Sequence, residues 1–266
     1  MTKSIFLLVF TVMLFSCQKV IDVNPDTGEE KVIIQAYLYK DSLAYVVITK
    51  STDYLTNTPP PSISNAVVTL SNAQLGSEIL EWNAVSQRFE SISMRGRLHN
   101  TPYIIKVDLE GKSYSATSTF VYLDPLDRVA VSEGWYFGVE GYYMELYGTI
   151  PTNVDKYFLF KGYSNDSLLN GPHGIYYADN TKISGVVDGY QLGFNCVPGQ
   201  TAKVEIYSLT RSAYNFYAAA NLQLNNDGGF FSTPPANVPS MFNNGAIGLF
   251  QCSAVQVLTT FVQVQP

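Results

Sequence analysis

The sequence is poor in the residues that most chemistry requires. It has three cysteines, two histidines and two tryptophans in 266 residues, and only 14% of its residues are charged. The cysteines show no CxxC or Cys/His spacing, so no zinc or iron–sulfur motif is expected and no metal or cofactor is expected. The histidines, His99 and His173, stand far apart in loop-like contexts, and no Gly-x-Ser-x-Gly elbow accompanies them. A serine-based nucleophilic site therefore has no anchor, and the chain reads as non-enzymatic. The formal net charge of −6 argues against nucleic-acid partners and against a polybasic membrane patch. Asn165-Asp166-Ser167 and Asn225-Asn226-Asp227-Gly228 offer oxygen ligands without a calcium-loop pattern and read as Asx turns.

Long apolar runs are also scarce. The one such run, Ile5 to Phe15, follows Lys3 and ends at Ser16-Cys17. Those eleven residues would rise roughly 16 Å as a helix, about half the hydrocarbon thickness of a bilayer, so they read as a cleaved signal rather than a span. Leu14-Phe15-Ser16-Cys17 resembles a bacterial lipobox with a bulky residue at Phe15. Residues 1–16 are expected to be a lipoprotein signal peptide, and Cys17 the acylated first residue of the mature chain. Several acyl chains on that residue would anchor it stably. Two cysteines then remain, Cys196 and Cys252, either joined by a disulfide or separately buried as thiols.

What is abundant is tyrosine (19) and phenylalanine (15), a composition that favours sheet. Residues 17–31 read as a polar tether. Strands are expected at 32–39, 44–50 and 66–70, and the clearest covers 103–110. There Tyr103, Ile105, Val107 and Leu109 alternate with Lys106, Asp108 and Glu110. Glu110-Gly111-Lys112 would turn the chain into a partner strand at 113–121. Together, 32–122 are expected to form an immunoglobulin-like β-sandwich. Leu123-Asp-Pro-Leu-Asp127 marks a boundary, and 128–266 a second β-rich domain. Its strands are expected near 141–150, 156–163, 174–178, 202–209, 246–250 and 255–264. It carries one helix over 211–224, in which Ala213, Phe216, Ala220 and Leu224 recur at helical spacing, with Tyr217 beside them, behind a Thr210 cap. The fold class is mainly β.

Two groups of residues carry a family resemblance. One is Cys17-Gln-Lys-Val-Ile-Asp, Val32-Ile-Ile-Gln-Ala, the Pro59–Pro61 loop and Ser64-Asn-Ala-Val-Val-Thr-Leu. The other is Ser208-Leu-Thr-Arg-Ser-Ala-Tyr-Asn-Phe, Pro234-Pro-Ala-Asn-Val-Pro-Ser and Asn244-Gly-Ala-Ile-Gly-Leu-Phe. In this order they resemble the DUF4249 family of Bacteroidetes outer-membrane lipoproteins. The resemblance implies an envelope protein encoded beside a TonB-dependent β-barrel receptor, hence an accessory or binding subunit of nutrient transport. It brings no catalytic residues. The expected location is the outer membrane, on either of its faces.

Three candidate surfaces follow from the residues alone. Trp135-Tyr136-Phe137 and Tyr176-Tyr177 beside His173 could stack on a sugar or peptide, or simply pack as strands. Glu133, Glu140 and Glu145 bracket the first cluster as a glycosidase pair would, although such coincidences are common on a chain of this size. The competing functions are a carbohydrate-binding adhesin working without a transporter and a hydrolase.

Overall fold

The computed structural model describes residues 29–52, 58–169, 174–226 and 237–263. The segment expected to be a signal peptide, Cys17, most of the expected tether and His173 lie outside the described residues. Two sandwiches with separate cores account for nearly all the strands. The expected mainly β class is what is found.

The first sandwich holds β1 (Val32–Tyr39), β2 (Leu43–Lys50), β3 (Val67–Asn72), β4 (Gly76–Ile79), β5 (Glu81–Asn83), β6 (Arg88–Arg95), β7 (Pro102–Leu109) and β8 (Lys112–Thr119). One sheet runs β4-β3-β7-β8. The period-two pattern of β7 does as expected: Tyr103, Ile105 and Val107 are fully buried and Leu109 nearly so. The Tyr103 hydroxyl accepts the backbone N–H groups of Arg97 and Leu98, each at 3.1 Å, so burying it leaves no polar atom unmatched. Facing them across the core are Ile34, Ala36 and Leu38 of β1 and Ala44, Val46 and Ile48 of β2.

The second sandwich holds β9 (Arg128–Tyr136), β10 (Val139–Ile150), β11 (Tyr157–Ser164), β12 (Ser167–Leu168), β13 (Tyr176–Asp179), β14 (Gly185–Cys196) and β15 (Thr201–Ser208). Its sheets are β14-β10-β9 and β12-β11-β15-β17, the latter closed by β17 (Val255–Phe261), with β13 also on β11. β9 and β14 escape the sequence pattern for a physical reason. β14 carries Gly189 and Gly193 and slips register against β10 at two places, and β9 leaves Glu133 and Trp135 outside the core.

The expected division at 128–266 does not hold in space. β16 (Ile247–Ser253) pairs in parallel with β1, Ile33 opposite Ile247 through Tyr39 opposite Ser253. The first sandwich is thus completed by a strand from the far end of the chain, which no reading of 32–122 alone contains. Buried on both faces, as parallel strands are, β16 sends Phe250 and Cys252 into the first core and Leu249 toward the second sandwich. Gly248 is required by this pairing, because a Cβ there would collide with the Ile34 carbonyl oxygen.

One residue, Ala254, separates β16 in one sandwich from β17 in the other, and a buried polar hub holds that crossing. The Ser253 hydroxyl donates to Ser208 O at 2.6 Å, Ala254 N donates to Ser208 Oγ at 3.0 Å, and Gln251 Nε2 donates to Ser253 Oγ at 2.8 Å. The boundary segment is equally fixed. Asp124 pairs with the buried Lys156 at 2.5 Å, and the Gln256 amide bonds both backbone groups of Leu126.

The helix α1 (Arg211–Leu224) starts where expected, Thr210 Oγ1 accepting Ala213 N at 3.2 Å. Its docked face is the expected one in part, Ala213, Phe216 and Tyr217 packing on the body. Leu224 is exposed, whereas Ala213, Tyr214, Tyr217 and Asn221 face the body. The Tyr214 hydroxyl donates to Asp179 at 2.9 Å, Tyr217 to Gln251 Oε1 at 2.6 Å, and Asn221 Oδ1 accepts Ile175 N at 3.0 Å. The helix is seated by tyrosine hydroxyls and an amide as much as by apolar packing. Among the described residues no helix is long and apolar enough to cross a membrane.

Candidate functional site

The aromatic pairs singled out from the sequence are divided by strand alternation. Phe137 and Gly138 form the two-residue turn between β9 and β10, both with positive φ (47° and 80°), as hairpins of this length require. Trp135 is 64% and Phe137 75% exposed. Tyr136 points the other way and meets Tyr143 at 5.6 Å and Tyr176 at 6.5 Å between ring centroids. Tyr176 packs on Phe194 at 4.4 Å and donates to Gly193 O at 3.0 Å. Tyr177 turns to α1, against Tyr214 at 5.4 Å. Tyr136, Tyr176 and Tyr177 thus converge on one cavity of about 260 Å³, closed by Lys182, Tyr190 and Gln191. Trp135 has no place in it.

A larger cleft, about 440 Å³, lies between the two sandwiches. It is built by alternation on β1 and β2: the residues between the core positions face outward, putting Gln35, Tyr37, Tyr45 and Val47 on one wall. The opposite wall is the outer face of β11, with Leu159 and Lys161, and α1 adds Tyr217. Tyr176 lines this cleft as well as the smaller cavity. Tyr39 and Tyr207 meet at 5.2 Å where the sandwiches touch, and Tyr37 stacks on Tyr45 at 4.9 Å and 26°.

Burial governs the electrostatics of this seam. It pushes the Tyr37 phenol up to about 12, with Tyr45 adding to the rise, and raises Tyr39, Tyr207 and Tyr217 still further. These hydroxyls are therefore neutral donors and acceptors at physiological pH. Burial also draws Lys161 below the ordinary lysine range, against the opposing pull of Glu205. Aromatic walls with a few convergent polar groups, at this volume, are the usual make-up of a small-molecule site. Sequence reading found Tyr176 but missed Tyr37, Tyr45, Lys161 and Tyr217. The only available signal was the tyrosines at alternate positions of β1 and β2, and alternation alone cannot say what faces them.

The other sequence candidates are dispersed. Glu140 lies opposite Trp135 and Glu145 opposite Ala130 in an unbroken β9–β10 register, so the two glutamates project from opposite faces. Glu145 is already held by Ser132 at 2.5 Å and Tyr147 at 2.9 Å. The disulfide alternative for Cys196 and Cys252 is not realised. Both are free buried thiols, one in each core, and burial pushes Cys196 up to about 12. They are inert packing residues. Among the described residues no three His, Cys, Asp or Glu side chains gather as a metal site.

With this architecture in view, the chain belongs to the family described as Domain of unknown function (DUF4249), whose model matches residues 18–259. No curated protein matches it in sequence.

Proposed function

We propose that the protein is a non-enzymatic binding subunit of the bacterial cell envelope, held at the outer membrane by acyl chains on Cys17. It would collect a small ligand for a TonB-dependent β-barrel receptor. The observation that carries this reading is the aromatic cleft between the sandwiches, walled by Tyr37, Tyr45, Tyr176 and Tyr217. Its walls come from elements far apart in sequence, tied together by the Ser208–Ser253 hub, so the site is preorganised rather than assembled on contact. Lipobox-like spacing at Leu14–Cys17 supports the location, and the receptor context implied by the family resemblance supports the partner.

The test is purification of the tagged full-length protein from detergent-solubilised outer membrane. Co-enrichment of a β-barrel receptor is expected, and its absence at matched expression would remove the accessory role. Cys17→Ser should move the protein out of the membrane fraction.

A second reading, an adhesin or carbohydrate-binding lipoprotein working alone, is favoured by a different observation. Trp135 and Phe137 project at the tip of the β9–β10 hairpin, both largely exposed. Glycan binding that is lost in Trp135→Ala and unaffected by Tyr45→Ala would select it. Polymer hydrolysis abolished by Glu145→Gln would replace both readings with an enzyme.

A further inference from the structure

We propose that the inter-sandwich cleft takes a small ligand bearing a single carboxylate on a flat-sided ring, with the carboxylate on Lys161 Nζ and the ring against Tyr45 and Tyr37. This deepens the binding reading above and rests on it.

The first argument is the state of Lys161. Its neighbour Lys203, on the adjacent β15, is ion-paired to Asp166 at 3.0 Å and lies 4.0 Å from Glu205. Lys161 has no such partner: among the described residues no carboxylate comes within ion-pair distance of its ammonium, whose close contact is the Tyr207 ring at 4.9 Å. Glu205 sits opposite Lys161 in the β11–β15 register, yet it is engaged elsewhere. It accepts the hydroxyls of Tyr163 at 2.9 Å and Tyr207 at 2.5 Å. An ammonium has three N–H donors, and holding it half-buried without an acceptor disfavours the unliganded state. An incoming anion relieves that cost, so the residue that weakens the empty cleft strengthens the filled one.

The second argument sets the charge of the ligand. Among the described residues Lys161 is the one cation lining the cleft. Arg88 stacks over Tyr45 at 4.3 Å, but it is paired to Glu90 at 2.5 Å. Phosphate groups call for several donors or an Arg fork, and the Glu205 carboxylate nearby would repel a dianion. A monoanion is what the site balances.

The third argument sets the body. The stacked Tyr37 and Tyr45 rings offer apolar faces with hydroxyl edges, and Gln35 adds an amide at the rim. Acidic sugars and aryl acids share this chemistry, and the experiment separates them.

Calorimetric titration of the mature acylated protein in detergent would use two pairs of probes. One pair is galacturonate and its methyl ester, the other phenylacetate and phenylacetamide. In at least one pair the acid should bind tenfold or more tightly than its neutral counterpart. Lys161→Met should erase that preference while leaving Tm unchanged or raised, since an unpaired half-buried charge is removed. Tyr45→Ala should weaken acid and neutral probe alike. Equal binding of acid and neutral forms, still dependent on Tyr45, would overturn the carboxylate assignment and leave the cleft as a binding site. A preference that survives in Lys161→Met would overturn Lys161 as the anchor. Failure of all four probes to bind would overturn the inference too, and the receptor co-purification would then decide the broader reading by itself.

Discussion

The two sandwiches solve the same packing problem differently. The first is built on short alternating strands: aliphatic residues of β1, β2, β3 and β7 line its interior with Phe89, Phe120 and Phe250, and the fully buried Tyr103 has its hydroxyl satisfied by two backbone groups. The second is built on longer strands, β10 and β14 of 12 residues each, whose pairing slips register twice around a mostly aliphatic interior that includes Phe158, Phe160 and Phe194. Both cavities described above border the second sandwich. The larger cleft lies where the outer face of the β1–β2 ladder meets that of β11, which pairs with β15 in unbroken register.

That comparison can be broken most forcefully at β16. Phe250 is fully buried in the first core, though it lies only a few residues before the second sandwich's last strand. Phe250→Ala should cost about 3–5 kcal/mol, read as a shift of the denaturant midpoint. Calorimetry should show one transition for both sandwiches, because the Ala254 crossing and the Ser208–Ser253 hub couple them. Two separated transitions would mean the sandwiches are independent after all. Gly248→Ala should act in the same direction by disrupting the β1–β16 ladder.

Next in size is the linker. Lys156 and Asp124 form a buried pair, their side chains 10% and 21% exposed. Lys156→Met strands the Asp124 carboxylate and should cost about 3 kcal/mol. Lys156→Met combined with Asp124→Leu should recover much of that loss. Failure of the double variant to recover would place the cost in packing rather than charge.

The tyrosine seam gives a smaller, pH-dependent effect. Tyr37 titrates near 10 when unfolded and near 12 in the folded protein, because burial disfavours the phenolate. The folded state therefore holds the proton more tightly. This stability is complete below pH 10 and is lost as pH rises from 10 toward 12, with a slope of at most about 1.4 kcal/mol per pH unit. Tyr37→Phe should flatten the fall of Tm over that interval, and an unchanged profile would show that the seam does not desolvate Tyr37. Smallest is Thr210→Ala, which removes the cap of α1 and should cost about 1 kcal/mol without altering either core. Thermal melts of the two proteins side by side would measure it.

These effects map onto what could be read before the structure. The β7 pattern, the Glu110–Gly111 turn and the Thr210 cap were legible because each is written in neighbouring residues. Tyr136 and Tyr176 were both legible as candidates from the sequence, but their convergence, and Phe194 beside them, were not. The helix and much of its docked face were legible, Ala213, Phe216 and Tyr217 packing on the body, whereas the hydroxyl and amide bonds of Tyr214, Tyr217 and Asn221 are not counted by apolar periodicity.

Sequence alone settled the mainly β class, the family and the short-range pattern of individual strands, since alternation and turn chemistry act over a few residues. Tertiary structure alone decided that β16 completes the first sandwich, that Cys196 and Cys252 lie in separate cores, and that Lys161 faces Tyr37, Tyr45 and Tyr217. Those facts depend on contacts between residues far apart in the chain. Which distant faces meet is fixed by the whole set of buried surfaces at once, and no local window contains it.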